Sequence, residues 1–278
     1  MSVALHAKLE VGQRVEGYCL KQVRGQGEVG TVWEAENAAG EPRALKFIPA
    51  TDEANRLEVR SIQLTSKLEH RHLLPIEKVL SFEKYIVVAM PLFDGSLQDL
   101  FEAYQSEYGT GVEPKELCQL LTQAAAGLDF LNTQKHHLGS WPGSIQHCNI
   151  KPSNLLVSGE ELKVTDFGLA SPTSRAVPML RRLNSAAFTA PEIYYGRLTN
   201  WTDQYSLAAT YVYLRGGRPP FATPPDPGNL NYVRPAPDLS LLGPKERPIV
   251  ARALSSASPE RFKTCGEFLA ELTKAALA

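Results

Sequence analysis

Gly25-Gln26-Gly27-Glu28-Val29-Gly30-Thr31-Val32 fits the pattern GxGxxGxV. Glycine has no side chain, so backbone at such positions can approach a phosphate closely. A flexible hairpin turn is the plainer explanation of the same residues. A dinucleotide-binding version needs a strand before the glycines and a helix after them. Here a strand-like segment follows, which disfavours it. Lys46, in Ala44-Leu45-Lys46, lies in an apolar strand pattern. It reads either as an exposed strand residue or as an ammonium set against nucleotide phosphates.

The elements that must position these groups fall into two textures. Tyr18 to Val23, Gly30 to Glu36 and Arg43 to Ile48 are short strand-like runs broken by glycine or polar turns, as in a meander of hairpins. A helix is predicted over about Glu53 to Glu69, where Leu57, Leu64 and Leu68 recur at helical spacing. Strands return at Ile76 to Ser81 and Tyr85 to Ala89. Beyond Met90 the pattern turns helical. Ser96 is placed to cap a helix to Tyr104. Pro114 to Asn132 carries the stripe Leu117, Leu120, Leu121, Ala124, Leu128 and Leu131. Asp203 to Arg215 is apolar enough to be buried, and 215 to 248 is rich in proline and glycine. Helices over Pro244 to Leu254 and Thr264 to Ala275 close the chain. A β-rich part before an α-rich part predicts an α+β protein with two lobes, a hinge near Met90 to Gly95 and a ligand cleft between the lobes.

Three further motifs follow the glycine loop and lysine in order: His147-Cys148-Asn149-Ile150-Lys151-Pro152-Ser153-Asn154, Asp166-Phe167-Gly168 and Ala190-Pro191-Glu192. Asp203, the turn Gly217 to Phe221 and Arg261 add to them. Together they resemble the eukaryotic-type Ser/Thr protein kinase family over nearly the whole chain. The resemblance implies a bilobal kinase-like fold with a small β-rich N-lobe (17–89), a hinge (90–95) and a larger α-helical C-lobe (96–275). Residues 1–16 would be an N-terminal extension. It implies ATP as ligand, with Gly25, Gln26, Gly27 and Gly30 over the phosphates. Lys46 would meet the α- and β-phosphates. Val32, Ala44 and Leu156 would sandwich the adenine, and Met90 to Leu92 would bond its edge through the backbone. Ala89 would lie behind that pocket. Asn154 and Asp166 would hold magnesium, or manganese in its place. Lys151 would neutralise the transferred phosphoryl group. Glu192 with Arg261, and Asp203 beneath the catalytic loop, would be architecture, and His147 would pack on Phe167. The glutamate paired with Lys46 is read as Glu58, with Glu53 second; family spacing lands on Ser61.

The chain departs from that pattern at Asn149, where the family has the aspartate that accepts the substrate hydroxyl proton. An amide is no base near neutral pH, although its carbonyl can orient a hydroxyl. General-base help contributes about 10²–10⁴-fold, roughly 2.7–5.4 kcal/mol. Phosphoryl transfer rests mostly on positioning and charge neutralisation, so slow transfer is expected rather than none. Two origins fit Asn149: a natural pseudokinase acting as an ATP-binding scaffold or switch, or an active kinase carrying a near-isosteric exchange. Cys148 replaces the arginine that often binds a phosphorylated activation segment. Ordering of about Leu169 to Thr189 without phosphate is therefore expected. Thr173, Ser174 and Ser185 are candidate phosphosites or plain turn residues. Arg175, Arg181 and Arg182 could attract an acidic partner or form a solvated face. His136 and His137 read as a surface loop, and His70 and His72 as packing or capping residues.

Composition narrows the partners. Hydrophobic residues are 43% and charged residues 21%, which excludes a disordered chain. A net charge of -1 gives nothing that would draw the whole chain onto nucleic acid or an anionic membrane. No apolar run approaches the roughly 20 residues of a membrane span. Cys19, Cys118, Cys148 and Cys265 are widely spaced, which favours a reducing, cytoplasmic setting over disulfides or zinc. A protein substrate is implied by the resemblance, its identity unknown.

Overall fold

Alternation of apolar and polar residues along Leu20, Trp33, Ala35, Leu45 and Phe47 builds a sheet with one closed face. The computed structural model describes residues 9–27, 30–50, 59, 61–63, 65–133, 136–138, 141–173, 186–222 and 234–278. These separate into two compact units, one drawn from Met1–Arg60 and Leu74–Phe93, the other from Ser61–Leu73 and Asp94–Ala278.

The first unit is a six-stranded antiparallel sheet of β1 (Arg14–Val15), β2 (Tyr18–Gln26), β3 (Thr31–Glu36), β4 (Pro42–Pro49), β5 (Lys78–Phe82) and β6 (Tyr85–Pro91), in the order β1-β2-β3-β4-β6-β5. Residues directly opposite across antiparallel strands point to the same side. Lys46 lies opposite Val32 on one side and Val88 on the other, Val32 lies opposite Gly25, and Ala44 lies opposite Met90. Register alone therefore puts Val32, Ala44, Lys46, Val88 and Met90 on one face. Val15, Leu20, Trp33, Leu45, Phe47, Leu80 and Val87 form the core, with Ala89 fully buried among them.

The second unit is mostly helical. Helices run over Leu97–Tyr108, Pro114–Thr133, Pro191–Tyr194, Thr202–Gly216, Arg247–Ala253 and Cys265–Ala276. Its small sheet joins β7 (Gly95–Ser96), β11 (Leu155–Ser158) and β12 (Glu161–Val164) in the order β12-β11-β7. Two-stranded ribbons join β8 (His136–Leu138) to β9 (Trp141–Gly143), and β10 (Ile145–Gln146) to β13 (Ser171–Pro172). The stripe from Leu117 to Leu131 is buried, and so is nearly every residue of the Thr202–Gly216 helix.

Element boundaries moved where side chains and glycines decide them. Ser96 caps the Leu97–Tyr108 helix as expected, its hydroxyl accepting from Asp99 N–H while its own N–H donates to Asp99 Oδ2 at 2.7 Å. The helix runs past Tyr104 and stops only at Gly109, whose φ of 67° closes it left-handed. The segment expected helical to Glu69 is helical at residues 59, 61–63 and 65, then turns: Leu68 N–H bonds back to Thr65 O three residues earlier, a tightened last turn. The helix expected from Pro244 begins at Arg247. Glu246 folds its carboxylate back onto Gly243 N–H at 2.6 Å and spends those residues on a turn. His136 is a correction. It stands in β8, not a surface loop, 8% exposed, with Nε2 2.9 Å from Phe130 O and its ring against Phe130.

Candidate active site

Hairpin register assembles the chemical residues of the helical unit. Leu155 pairs with Val164 across β11 and β12, so the residues just outside the pair, Asn154 and Thr165, meet through a 3.0 Å Thr165 N–H to Asn154 O bond. That brings Asn154 beside Asp166. Lys151 precedes the tight turn Pro152–Asn154, and its carbonyl accepts Asn154 N–H at 3.0 Å. Leu156 lies mid-strand in β11, opposite Lys163 and Ser96.

Beneath this cluster, Asp203 is wholly buried and its carboxylate is surrounded by donors. Oδ2 accepts His147 N–H at 2.7 Å and Oδ1 accepts Cys148 N–H at 2.8 Å. Asn132, its amide turned to suit its neighbours, adds a donor to Oδ2 at 3.0 Å and another to Ile145 O at 2.8 Å. These bonds hold Cys148 at φ 64°, a left-handed conformation that costs a non-glycine residue about 1 kcal/mol or more and persists only where its surroundings fix it. Asp203 thus shapes the loop from below, as the resemblance implied. Asn132 was not foreseen, because nothing in local periodicity marks the last turn of a helix as a long-range partner.

His147 is sealed in the same layer. Asn149 N–H donates to its Nδ1 at 3.3 Å, so the proton sits on Nε2, which donates to Thr165 O at 2.9 Å. Burial pushes its pKa down, and the ring is a neutral brace. It packs edge-on against Phe167 at 5.1 Å, as expected. The Glu192–Arg261 pair is equally structural. Arg261 grips both Glu192 oxygens at 2.8 and 2.9 Å, and Thr202 Oγ1 donates to Oε1 at 3.0 Å. Burial pushes the Glu192 carboxyl up, but the guanidinium outweighs it and holds the pKa below the ordinary range.

Above that frame lie the groups of reaction chemistry. Asn149 Nδ2 donates to Asp166 Oδ2 at 2.8 Å. Asn154 Nδ2 donates to Asn149 O at 2.7 Å and leans toward the same Asp166 oxygen at 3.4 Å. Asp166 itself takes φ 68°, ψ 61°, which turns its side chain out of the β12 direction. One carboxylate and one amide carbonyl, sharing a site with phosphate oxygens, are the ligand types a hard divalent cation takes. Asn154 has spent its amide nitrogen, and no described group donates to its Oδ1, so the donor set fits such an ion. Among the described residues no three His, Cys, Asp or Glu side chains gather as a metal site of their own.

In the sheet unit, the register row Gly25–Val32–Lys46 carries the glycine loop to the lysine. A Cβ on Gly30 would sit 2.0 Å from Phe47 O, so no other residue fits there. At Gly25 a Cβ would meet no described atom within 4 Å, and at Gly27 only Gly30 O at 3.8 Å. Ala44 and Met90 are buried, and Leu92 is half-buried just after β6. Glu58 and Glu53 lie outside the described residues, as do Ser174, Ser185, Arg175, Arg181 and Arg182. Thr173 is described. Its hydroxyl bonds Ser144 Oγ at 2.6 Å, and Ser144 Oγ in turn bonds Asn200 Oδ1 at 2.8 Å.

Residues 18–239 match the family model of the protein kinase domain. The chain belongs to the protein kinase family. Use of ATP and a divalent metal is general in that family. Among curated proteins the chain is similar to the serine/threonine-protein kinase PknI of Mycobacterium tuberculosis, 27% identical over 278 residues. It is similar also to PknF of the same organism, 25% identical over 289 residues. Each alignment covers 94% of this chain, but 42% of PknI and 56% of PknF, so the chain spans about half the length of these relatives. The crystal structure of the M. tuberculosis PknI kinase domain, a cysteine-to-alanine mutant, superposes with a TM-score of 0.70 at 24% identity, covering 97% of this chain and 99% of that one. At that identity the likeness speaks for the kinase fold. No helix among the described residues is long and apolar enough to cross a membrane.

Proposed function

We propose that this kinase domain, residues 17–275, binds ATP with magnesium and transfers the γ-phosphoryl group to serine or threonine hydroxyls of a protein, slowly because of Asn149. The observation that carries this reading is the Asn149–Asn154–Asp166 cluster set on the Asp203 frame. Asp166 Oδ and Asn154 Oδ1 would hold the cation, which when bound screens the phosphate charge. Lys46 binds the α- and β-phosphates, and Lys151 offsets charge on the transferred group. Among the described residues a Cβ at Gly25 meets nothing within 4 Å and one at Gly27 only Gly30 O at 3.8 Å, which supports their role as a bare backbone cover for phosphate. Val32, Ala44, Met90, Leu92 and Leu156 take the adenine. Glu58 is proposed as the partner of Lys46. Asn149 orients the acceptor hydroxyl without taking its proton. A cytoplasmic setting is supported by four cysteines that form no disulfide, three of them buried.

The test restores the base. Asn149→Asp is expected to raise phosphate transfer from ATP to a generic protein acceptor by about tenfold or more. A second reading is an ATP-binding scaffold, because the amide of Asn149, held to Asp166 through its nitrogen, supplies no base where the family has an aspartate. It prevails if Asn149→Asp binds nucleotide normally and gains no transfer.

A further inference from the structure

Aspartate at position 149 could not make the contact that asparagine makes. Asn149 Nδ2 sits 2.8 Å from Asp166 Oδ2. A carboxylate in its place would face another carboxylate at that distance, an arrangement that requires a cation or a shared proton between them. The amide replaces repulsion with a hydrogen bond to a charged acceptor, a bond stronger than one between neutral groups. Asn154 leans on the same oxygen at 3.4 Å and is anchored to Asn149 O at 2.7 Å. Two amide donors thus face Asp166 Oδ2, and the loop carries one carboxylate where an aspartate at 149 would give it two.

We propose that Asn149 is a positioning residue for the cation site: its amide donates to Asp166 Oδ2 and lowers the dependence of nucleotide binding on divalent metal. This rests on the reading that the chain binds ATP. Two physical effects act together. A cation must displace the amide from Oδ2 or use the remaining oxygens, so metal gains less. A triphosphate arriving without metal meets one negative side chain rather than two, so it is repelled less.

The experiment measures ATP affinity by calorimetry in magnesium and in EDTA, for the native chain, Asn149→Asp and Asn149→Ala. The native chain should show dissociation constants within about threefold of each other in the two conditions. Asn149→Asp should bind in magnesium and lose about tenfold or more in EDTA. Asn149→Ala, which frees Oδ2 without adding charge, should fall between them. If the three chains share one metal dependence, the proposal is overturned. It is equally overturned if Asn149→Ala behaves as the native chain, because charge alone would then explain the aspartate variant. Melting without nucleotide gives a second, independent readout: Asn149→Asp should melt lower in EDTA than in magnesium, while the native chain melts alike in both. Equal behaviour of the two chains there sinks the proposal. Absence of ATP binding in every condition, with the melting difference intact, overturns the nucleotide reading instead.

Discussion

Asp203 and Asp166 are two carboxylates of the same unit that accept hydrogen bonds from neighbouring segments of one loop, and they have opposite characters. Asp203 is wholly buried and holds two backbone N–H groups and the Asn132 amide. Asp166 is partly exposed and holds two side-chain amides, those of Asn149 and Asn154. The first contact set depends on backbone and is indifferent to which side chain stands at 149. The second depends on that side chain directly. A loop can therefore keep its shape while its proton acceptor is exchanged, because shape and proton transfer are assigned to different layers.

That contrast can be broken from below. Arg261→Ala strands the Glu192 carboxylate in the interior, and should cost about 3–5 kcal/mol in chemical denaturation. A loss under about 1 kcal/mol would mean the frame is looser than its geometry. Asp203→Asn comes next. It puts an NH₂ against N–H donors on one side of the buried network, and should cost about 2 kcal/mol. It should also shift the backbone resonances of His147 and Cys148, whereas Asn149→Asp leaves those two in place. If both substitutions disturb the loop equally, the two-layer view fails.

The smallest effect is in pH. His147 stays neutral in the fold because burial lowers its pKa, while the unfolded chain takes up a proton as pH falls below the ordinary 6.5. Stability from this group is complete above 6.5 and declines below it, by at most about 1.4 kcal/mol per pH unit, until the folded pKa is reached. His70 and His72 are lowered in the same direction, again chiefly by burial. Glu192 acts in a lower window. Its folded pKa is depressed, so its contribution is present above the ordinary 4.5 and disappears as pH falls through the folded value. Denaturation midpoints measured from pH 7.5 to 5.5 should fall in the native chain and fall less in His147→Gln. Parallel curves would remove His147 from the account.

Local signals foretold what local physics decides. Ser96 was readable as a cap because its partner Asp99 is three residues away. Lys46 was readable as a strand residue because its neighbours alternate, and pairing then placed Val32 and Met90 on the lysine's face. The motifs holding Asn149, Asn154 and Asp166 were legible through spacing, but the bond between Asn149 and Asp166 was not, since it depends on hairpin register and on a left-handed Asp166. His136 misled for a similar reason. Two adjacent histidines look polar, yet Phe130 supplies a carbonyl and a ring that accept one of them in the interior. Asn132 and the Ser144–Thr173–Asn200 chain carry no pattern at all, joining residues far apart in sequence.

The three glycines of the loop are unequal witnesses. Gly30 is imposed by the carbonyl of Phe47 and would be retained in a variant that had lost every ligand. Alanine at Gly25 or Gly27 meets no such obstacle among the described residues. In a randomised library screened only for folded protein, position 30 should come back as glycine while 25 and 27 drift. Their drift or retention under a second screen, for nucleotide, then reports on ligand alone.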